Sequence, residues 1–110
     1  MADSTDYVDF ILDQLSNWKT IITKRMFGCV GLYADGLMFG IIAKETIYFK
    51  VDDSNKNKYL EAGSETLKLF KSNSVVASFY EVPVEIIEDA NQFVVWAEAS
   101  LEIQKRKNEV

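Results

Sequence analysis

The chain has 110 residues, 48% hydrophobic and 13% aromatic, which is enough to build one hydrophobic core and too little for two; a single domain over residues 1–110 is therefore expected. Seventeen acidic residues against twelve basic ones leave a formal charge of -5, a field that repels nucleic acid unless a local basic patch overrides it. There is no histidine, so the commonest general base near neutral pH and the commonest transition-metal ligand are both missing, and one cysteine, Cys29, excludes an internal disulfide and a thiolate zinc cluster.

No apolar run approaches the roughly 18 residues that span a bilayer, and the first nine residues carry acids and no basic targeting segment. A cytoplasmic protein with no membrane contact is expected. Tyr7, Phe10, Ile11, Leu15, Trp18 and Ile22 recur at spacings of three and four, which predicts an amphipathic helix capped by Asp3 or Ser4. The β-branched run from Lys19 to Thr23 then favours extended backbone leading into the first strand.

Residues 25–40 are the most informative stretch. Two apolar runs flank Asp35-Gly36, a dipeptide that tolerates positive φ at both central positions of a two-residue type I′ turn. Gly28, Gly31, Asp35, Gly36 and Gly40 are read as the structural residues of this hairpin. With Ala34 opposite Leu37, simple alternation puts Gly31 opposite Gly40, two side-chain-free positions on one face against which something bulky should pack. Residues 47–51 predict a third antiparallel strand, joined by a three-residue link at 44–46 that sets Phe49 beside Ile41 and Val51 beside Phe39. One face then carries Val30, Leu32, Phe39, Ile41, Ile47, Phe49 and Val51. The other carries Cys29, Gly31, Tyr33, Met38, Gly40, Ile42, Tyr48 and Lys50.

Asp52-Asp53-Ser54 supplies N-cap residues for a short helix that stops at Gly63. Residues 66–71 and 75–82 predict two more strands around the polar turn Ser72-Asn73-Ser74, and Pro83 suits the first position of a helical turn. Asp89 begins a final helix whose buried stripe is Phe93, Trp96, Ala97, Ser100 and Leu101 and whose end carries Lys105-Arg106-Lys107. The class is α+β, an antiparallel five-stranded sheet with flanking helices in the order α-β-β-β-α-β-β-α.

Met26-Phe27-Gly28, Gly31-Leu32-Tyr33, residues 35–43 and residues 48–52 closely resemble the N-terminal domain of the TfoX/Sxy competence-regulator family. Residues 59–64, residues 80–89 and Trp96-Ala97 resemble that family's later signature blocks, so the likeness covers nearly the whole chain. Cys29 departs from it where glycine is common, and Ser72-Asn73-Ser74 where a Gly-Lys pair is usual. The resemblance implies a secretion-chaperone-like fold, a bacterial regulator and no catalysis. Longer members add a helical C-terminal domain, which this chain is too short to hold, and act with a transcription activator of the cyclic-AMP receptor protein type to switch on DNA-uptake genes.

Taken residue by residue, no catalytic, cofactor or metal site is expected. Cys29 has no histidine to activate it, and Asp52-Asp53 is read as a cap. The candidate interaction surface is Arg25, Tyr33, Met38, Tyr48 and Lys50, since aromatics, methionine and arginine are enriched where proteins meet. Its cover is left open between the C-terminal helix, with Trp96 over Gly31 and Gly40, a second protomer in a homodimer, and a partner. The leading function is a regulatory protein-interaction module. The alternatives are an accessory DNA-binding domain, for which Lys24-Arg25 and the terminal basic triplet would have to converge, or a small-ligand carrier or enzyme using Cys29, Lys50 and the tyrosines on the glycine-groove face. DNA contact is not expected of the isolated domain.

Overall fold

The computed structural model describes residues 5–26, 28–69 and 74–108. The elements in chain order are α1 (Thr5–Gln14), β1 (Ile22–Met26), β2 (Cys29–Ala34), β3 (Leu37–Ala43), β4 (Thr46–Lys50), α2 (Lys56–Glu61), β5 (Thr66–Leu69), β6 (Ser74–Glu81), α3 (Val84–Ile87) and α4 (Ala90–Asn108). The strands form one antiparallel sheet in the order β1-β2-β3-β4-β6-β5. The α+β class holds, with six strands where the sequence reading expects five.

The sixth strand comes out of the predicted first helix. That helix closes at Gln14, and the chain tightens through i→i+3 bonds from Leu15 to Leu12, Ser16 to Asp13 and Trp18 to Leu15. Two long-range bonds fix the exit: Gln14 Nε2 donates to the carbonyl of Ile87 at 2.8 Å, and the Trp18 indole donates to Glu98 at 2.7 Å. The β-branched run beyond it is then free to pair with β2, with Ile22 opposite Tyr33 and Arg25 opposite Val30. Ile22, placed on the helix by its spacing, belongs to a strand.

The hairpin turns at Asp35 (φ 55°) and Gly36 (φ 80°), with Ala34 opposite Leu37, as its Asp-Gly dipeptide predicts. The pairing beyond Tyr33 is different. Tyr33 faces Met38 but Leu32 faces Gly40, so Phe39 is an extra residue on β3, a β-bulge. Gly31 therefore lies opposite Ile41 and not Gly40. A bulge shifts the alternation by one: Ile42 joins Val30 and Ile47 on the helix-covered face and is fully buried, while Ile41 sits on the other face with Gly31 and Tyr48. The link to β4 is shorter than predicted. Lys44 (φ 52°) and Glu45 (φ 58°) form a second two-residue left-handed turn, and Phe49 falls opposite Gly40.

Gly40 is where the backbone yields to a ring. A Cβ built there would stand 3.0 Å from Cδ1 of Phe49 and 3.1 Å from the Tyr48 carbonyl. Phe49 occupies that space as part of a line of rings, 5.6 Å from Phe39 and stacked 5.2 Å from Phe93 of α4. Trp18 closes the line edge-on to Phe39 at 5.3 Å. These rings, with Ile11, Leu15, Leu32, Ile42, Ile47 and Leu101, form the main core between the sheet and helices α1 and α4.

All five predicted stripe residues of α4 are buried, but on the main-core side and not on the face that carries Gly31. Trp96 packs edge-on against Tyr59 of α2 at 4.7 Å, and the glycine pair it was expected to cover does not exist: the bulge puts Gly40, opposite Leu32 and Phe49, on the core face and leaves Gly31 on the other. The opposite face closes on itself: Leu67 of β5 and Phe79 of β6 join Cys29, Ile41 and Ala43 in a second, smaller cluster. Two helix starts also shift by a position. Asn55 and not the Asp52–Ser54 segment is the N-cap of α2, with Gly63 (φ 74°) just past its end, and Pro83 is the N-cap of α3 and not its first helical residue. Residues 70–73, which include most of the predicted Ser72-Asn73-Ser74 turn, lie outside the described residues.

The close approach at Gly40 makes Gly40→Val an overpacking change. It should destabilise the fold by about 1–3 kcal/mol, against almost nothing for Thr23→Val on exposed β1. Urea melts of the two variants beside the parent measure the difference; parental stability for Gly40→Val would refute the packing described.

Candidate interaction surface

Antiparallel register places Ile22, Lys24, Tyr33, Met38, Ile41, Tyr48, Lys50 and Phe79 on the sheet face turned away from α1 and α4. Of the five predicted surface residues, the sheet brings together Tyr33, Met38, Tyr48 and Lys50. Arg25 is not among them. It pairs with Val30, whose side chain enters the main core, so Arg25 projects from the opposite face of the edge strand.

The face is graded from open to closed. At the β1 edge Ile22 is 56% exposed, Lys24 is exposed with its Nζ 5.2 Å over the Tyr33 ring, and Tyr33 and Met38 are half-buried cross-strand neighbours. Tyr48 is also half-buried; burial and the nearby carboxylates of Glu81 and Glu65 raise its phenol above the usual range. Lys50 ends the row at 8% exposure with its Nζ 5.4 Å over the Phe79 ring. The sequence reading treats Lys50 as an exposed contact residue, and its burial corrects that: the stem lies against Phe79 of the neighbouring strand. Burial depresses its ammonium pKa, Lys107 depresses it further, and Asp52 opposes them. Lys50→Glu would strand a carboxylate in this setting and is no surface probe.

The main chain under Lys50 is pinned. Its carbonyl accepts from Ser100 Oγ of α4 at 2.7 Å and from Asn55 Nδ2 at 3.2 Å. Asp52 organises the loop that follows, accepting from the Ser54 hydroxyl at 2.5 Å and the Ser54 backbone N–H at 2.8 Å and pairing with Arg106 at 3.3 Å, and these contacts, the hydroxyl first, hold its carboxyl below the usual range. Asp52 thus organises a loop and is not the cap of α2 that the sequence reading expects. Between Ser100 and Arg106 on the same half of α4, Gln104 Nε2 donates to the Met38 carbonyl at 2.7 Å.

The basic triplet is largely occupied by the fold. Lys105 lies 3.3 Å from Asp35 and 3.7 Å from Glu102, and Arg106 is held by Asp52. Lys19 completes a clasp on Asp35 at 3.3 Å, so the hairpin turn is tied to both the α1 exit and the α4 end. Cys29 is a buried thiol in the smaller cluster. Among the described residues no group of three or more His, Cys, Asp or Glu is placed to hold a metal, and no helix is long and apolar enough to cross a membrane.

The model of the TfoX N-terminal domain matches residues 13–103, from within α1 to the last turns of α4 and across all six strands. The chain belongs to the TfoX N-terminal domain family. The TfoX N-terminal domain is regulatory, competence-associated and non-catalytic as a family. Among curated proteins none matches the chain.

The TfoX-type hairpin was legible from Asp35-Gly36, but two open residues of its face were missed. Ile22 and Lys24 lie on β1, and the signal for that strand was the β-branched run after Lys19. Asp35 was read as a turn residue only, since nothing local shows that Lys19 and Lys105 converge on it.

Asp35 provides a pH test. Its two ammonium partners lower its pKa in the folded state, so the stabilisation is present above the unfolded carboxylate pKa of about 4 and is lost as pH falls through the lower folded value. Asp35→Asn keeps the left-handed turn and should be less stable than the parent at pH 7, with the gap closing near pH 2 and shrinking in 1 M salt. Thermal melts across pH check this; a gap independent of pH and salt would contradict it. Native Cys29 should react with a soluble thiol reagent far more slowly than in urea, and equal rates would show an open thiol.

Proposed function

We propose that this domain is a non-catalytic regulatory module that acts in the cytoplasm by binding a protein, a transcription activator of the cyclic-AMP receptor protein type that controls DNA-uptake genes. The observation that carries the reading is family membership joined to a sheet face whose β1 end stays open: Ile22, Lys24, Tyr33 and Met38 form an apolar patch with one cation at its rim. Such a patch offers area for desolvation and a charge for orientation.

Three features favour a protein over DNA. The net charge is -5, Lys105 and Arg106 are held by carboxylates of the same chain, and Lys24 and Arg25 project from opposite faces of β1. Phosphate-driven affinity scales with the number of cations engaged together, and this arrangement engages few. The buried positions of Cys29 and Lys50 count against chemistry at either side chain.

The test pairs two titrations. Immobilised domain should capture the purified activator, and Ile22→Asp or Lys24→Glu, both at exposed positions, should weaken capture by about tenfold while leaving the melt unchanged. Labelled duplex should bind no tighter than the non-specific range of about 10⁻⁴ to 10⁻⁶ M at physiological salt. Submicromolar, salt-steep duplex binding with no activator capture would replace this reading with a DNA-binding one.

A further inference from the structure

A second concave surface lies away from the sheet face, where α1, the β3–β4 turn and α3 meet. It is a groove of about 220 Å³ with Val82 and Ile87 on its floor and Phe10 and Val84 at its lips. The floor residues are buried, but Phe10 is 42% exposed and Val84 61% exposed, two large apolar side chains held in water. Three acidic residues, Glu45, Glu81 and Glu88, line the same groove, the Glu81 carboxylate turning toward Tyr48 on the outer sheet face, and among the described residues no lysine or arginine lines it. Lys44, next to Glu45 in the turn, is outside the lining.

The supports of this groove are stiff. Glu45 sits in a left-handed turn of fixed geometry, and α3 is tied to α1 by the Gln14 bond to the Ile87 carbonyl. Glu85 and Asp89 flank Glu88 in the chain, and no base occurs between residues 82 and 104. An apolar floor gives affinity through desolvation, and a ring of one sign selects what may enter and speeds its approach. Phosphate backbones are repelled.

We infer that this groove receives an apolar side chain from a lysine- or arginine-rich amphipathic segment of a partner protein. The inference rests on the reading of the domain as an interaction module and adds a contact separate from the sheet face. The terminal basic triplet of a second copy is a poor occupant, since Lys105 and Arg106 are already paired with Asp35, Glu102 and Asp52.

The probe is a labelled synthetic helical peptide with leucines at i, i+4 and lysine or arginine between them, beside a control with glutamate at every basic position. The basic peptide should bind, weaken with salt, and shift the amide resonances of Phe10, Val84, Ile87 and Glu88. Phe10→Ser, Val84→Asp and Glu88→Lys should each weaken it by about tenfold with unchanged melts. Equal binding of the control peptide, binding of neither, or shifts confined to Tyr33 and Met38 would overturn the inference. So would concentration-dependent association of the domain in sedimentation that Glu88→Lys abolishes, which would assign the groove to a second copy. Activator capture separates this inference from the function proposed above: capture lost with Ile22→Asp but intact in all three groove variants removes the groove alone, and capture lost only with the groove variants removes the sheet face alone.

Discussion

The contact between the Gly40 backbone and the Phe49 ring decides which side of the sheet is which. Because Gly40 has no side chain, Phe49 can lie over it and reach Phe39 on one side and Phe93 on the other, so the sheet and α4 share one line of stacked rings. The bulge at Phe39 serves the same end. It keeps Phe39 in that line and turns Ile42 inward and Ile41 outward. Each fully buried ring contributes about 1.5–3 kcal/mol of transfer free energy, far more than the exposed ion pairs around the rim. The ion pairs instead set positions: Asp35 and Asp52 tie the hairpin turn and the strand-end loop to α4.

With the helices committed to the ring face, the other face has to be covered by the sheet's own strands. Leu67 and Phe79 do this at the β5–β6 side, where Lys50 is buried, and the cover thins toward β1. The open end of the face is therefore a consequence of how the core is built. A lone edge strand with exposed Ile22 would invite pairing with a second copy; Lys24 and Arg25 in its centre place like charges opposite each other in a symmetric β1 pairing and disfavour it.

What the sequence made legible was what local chemistry determines. Asp35-Gly36 specified its turn, Gly63 its helix end, and the spacing of Phe93, Trp96, Ala97, Ser100 and Leu101 the buried stripe of α4. What it concealed was set by contacts distant in the chain. The hydrophobic spacing that ran to Ile22 could not show that Gln14 and Trp18 are held by Ile87 and Glu98, which is what releases β1. Alternation could not distinguish Ile41 from Ile42, since two adjacent isoleucines fit either face and only the bulge chooses. Lys50 looked exposed because lysine usually is; Phe79, 29 positions away in sequence, buries its stem.

The charges tell one more step of the story. Lys105 and Arg106 near the end of α4 are drawn to Asp35 and Asp52, whereas Glu88 and Glu45 line the groove with no lysine or arginine beside them in the lining among the described residues. Lys19, Lys105 and Arg106 are thus paired within the fold, while acidic residues stand in the lining of the apolar groove. Toward the activator partner proposed above, this division would have a physical use. Negative charge disfavours approach to a phosphate backbone and favours approach of a basic protein surface.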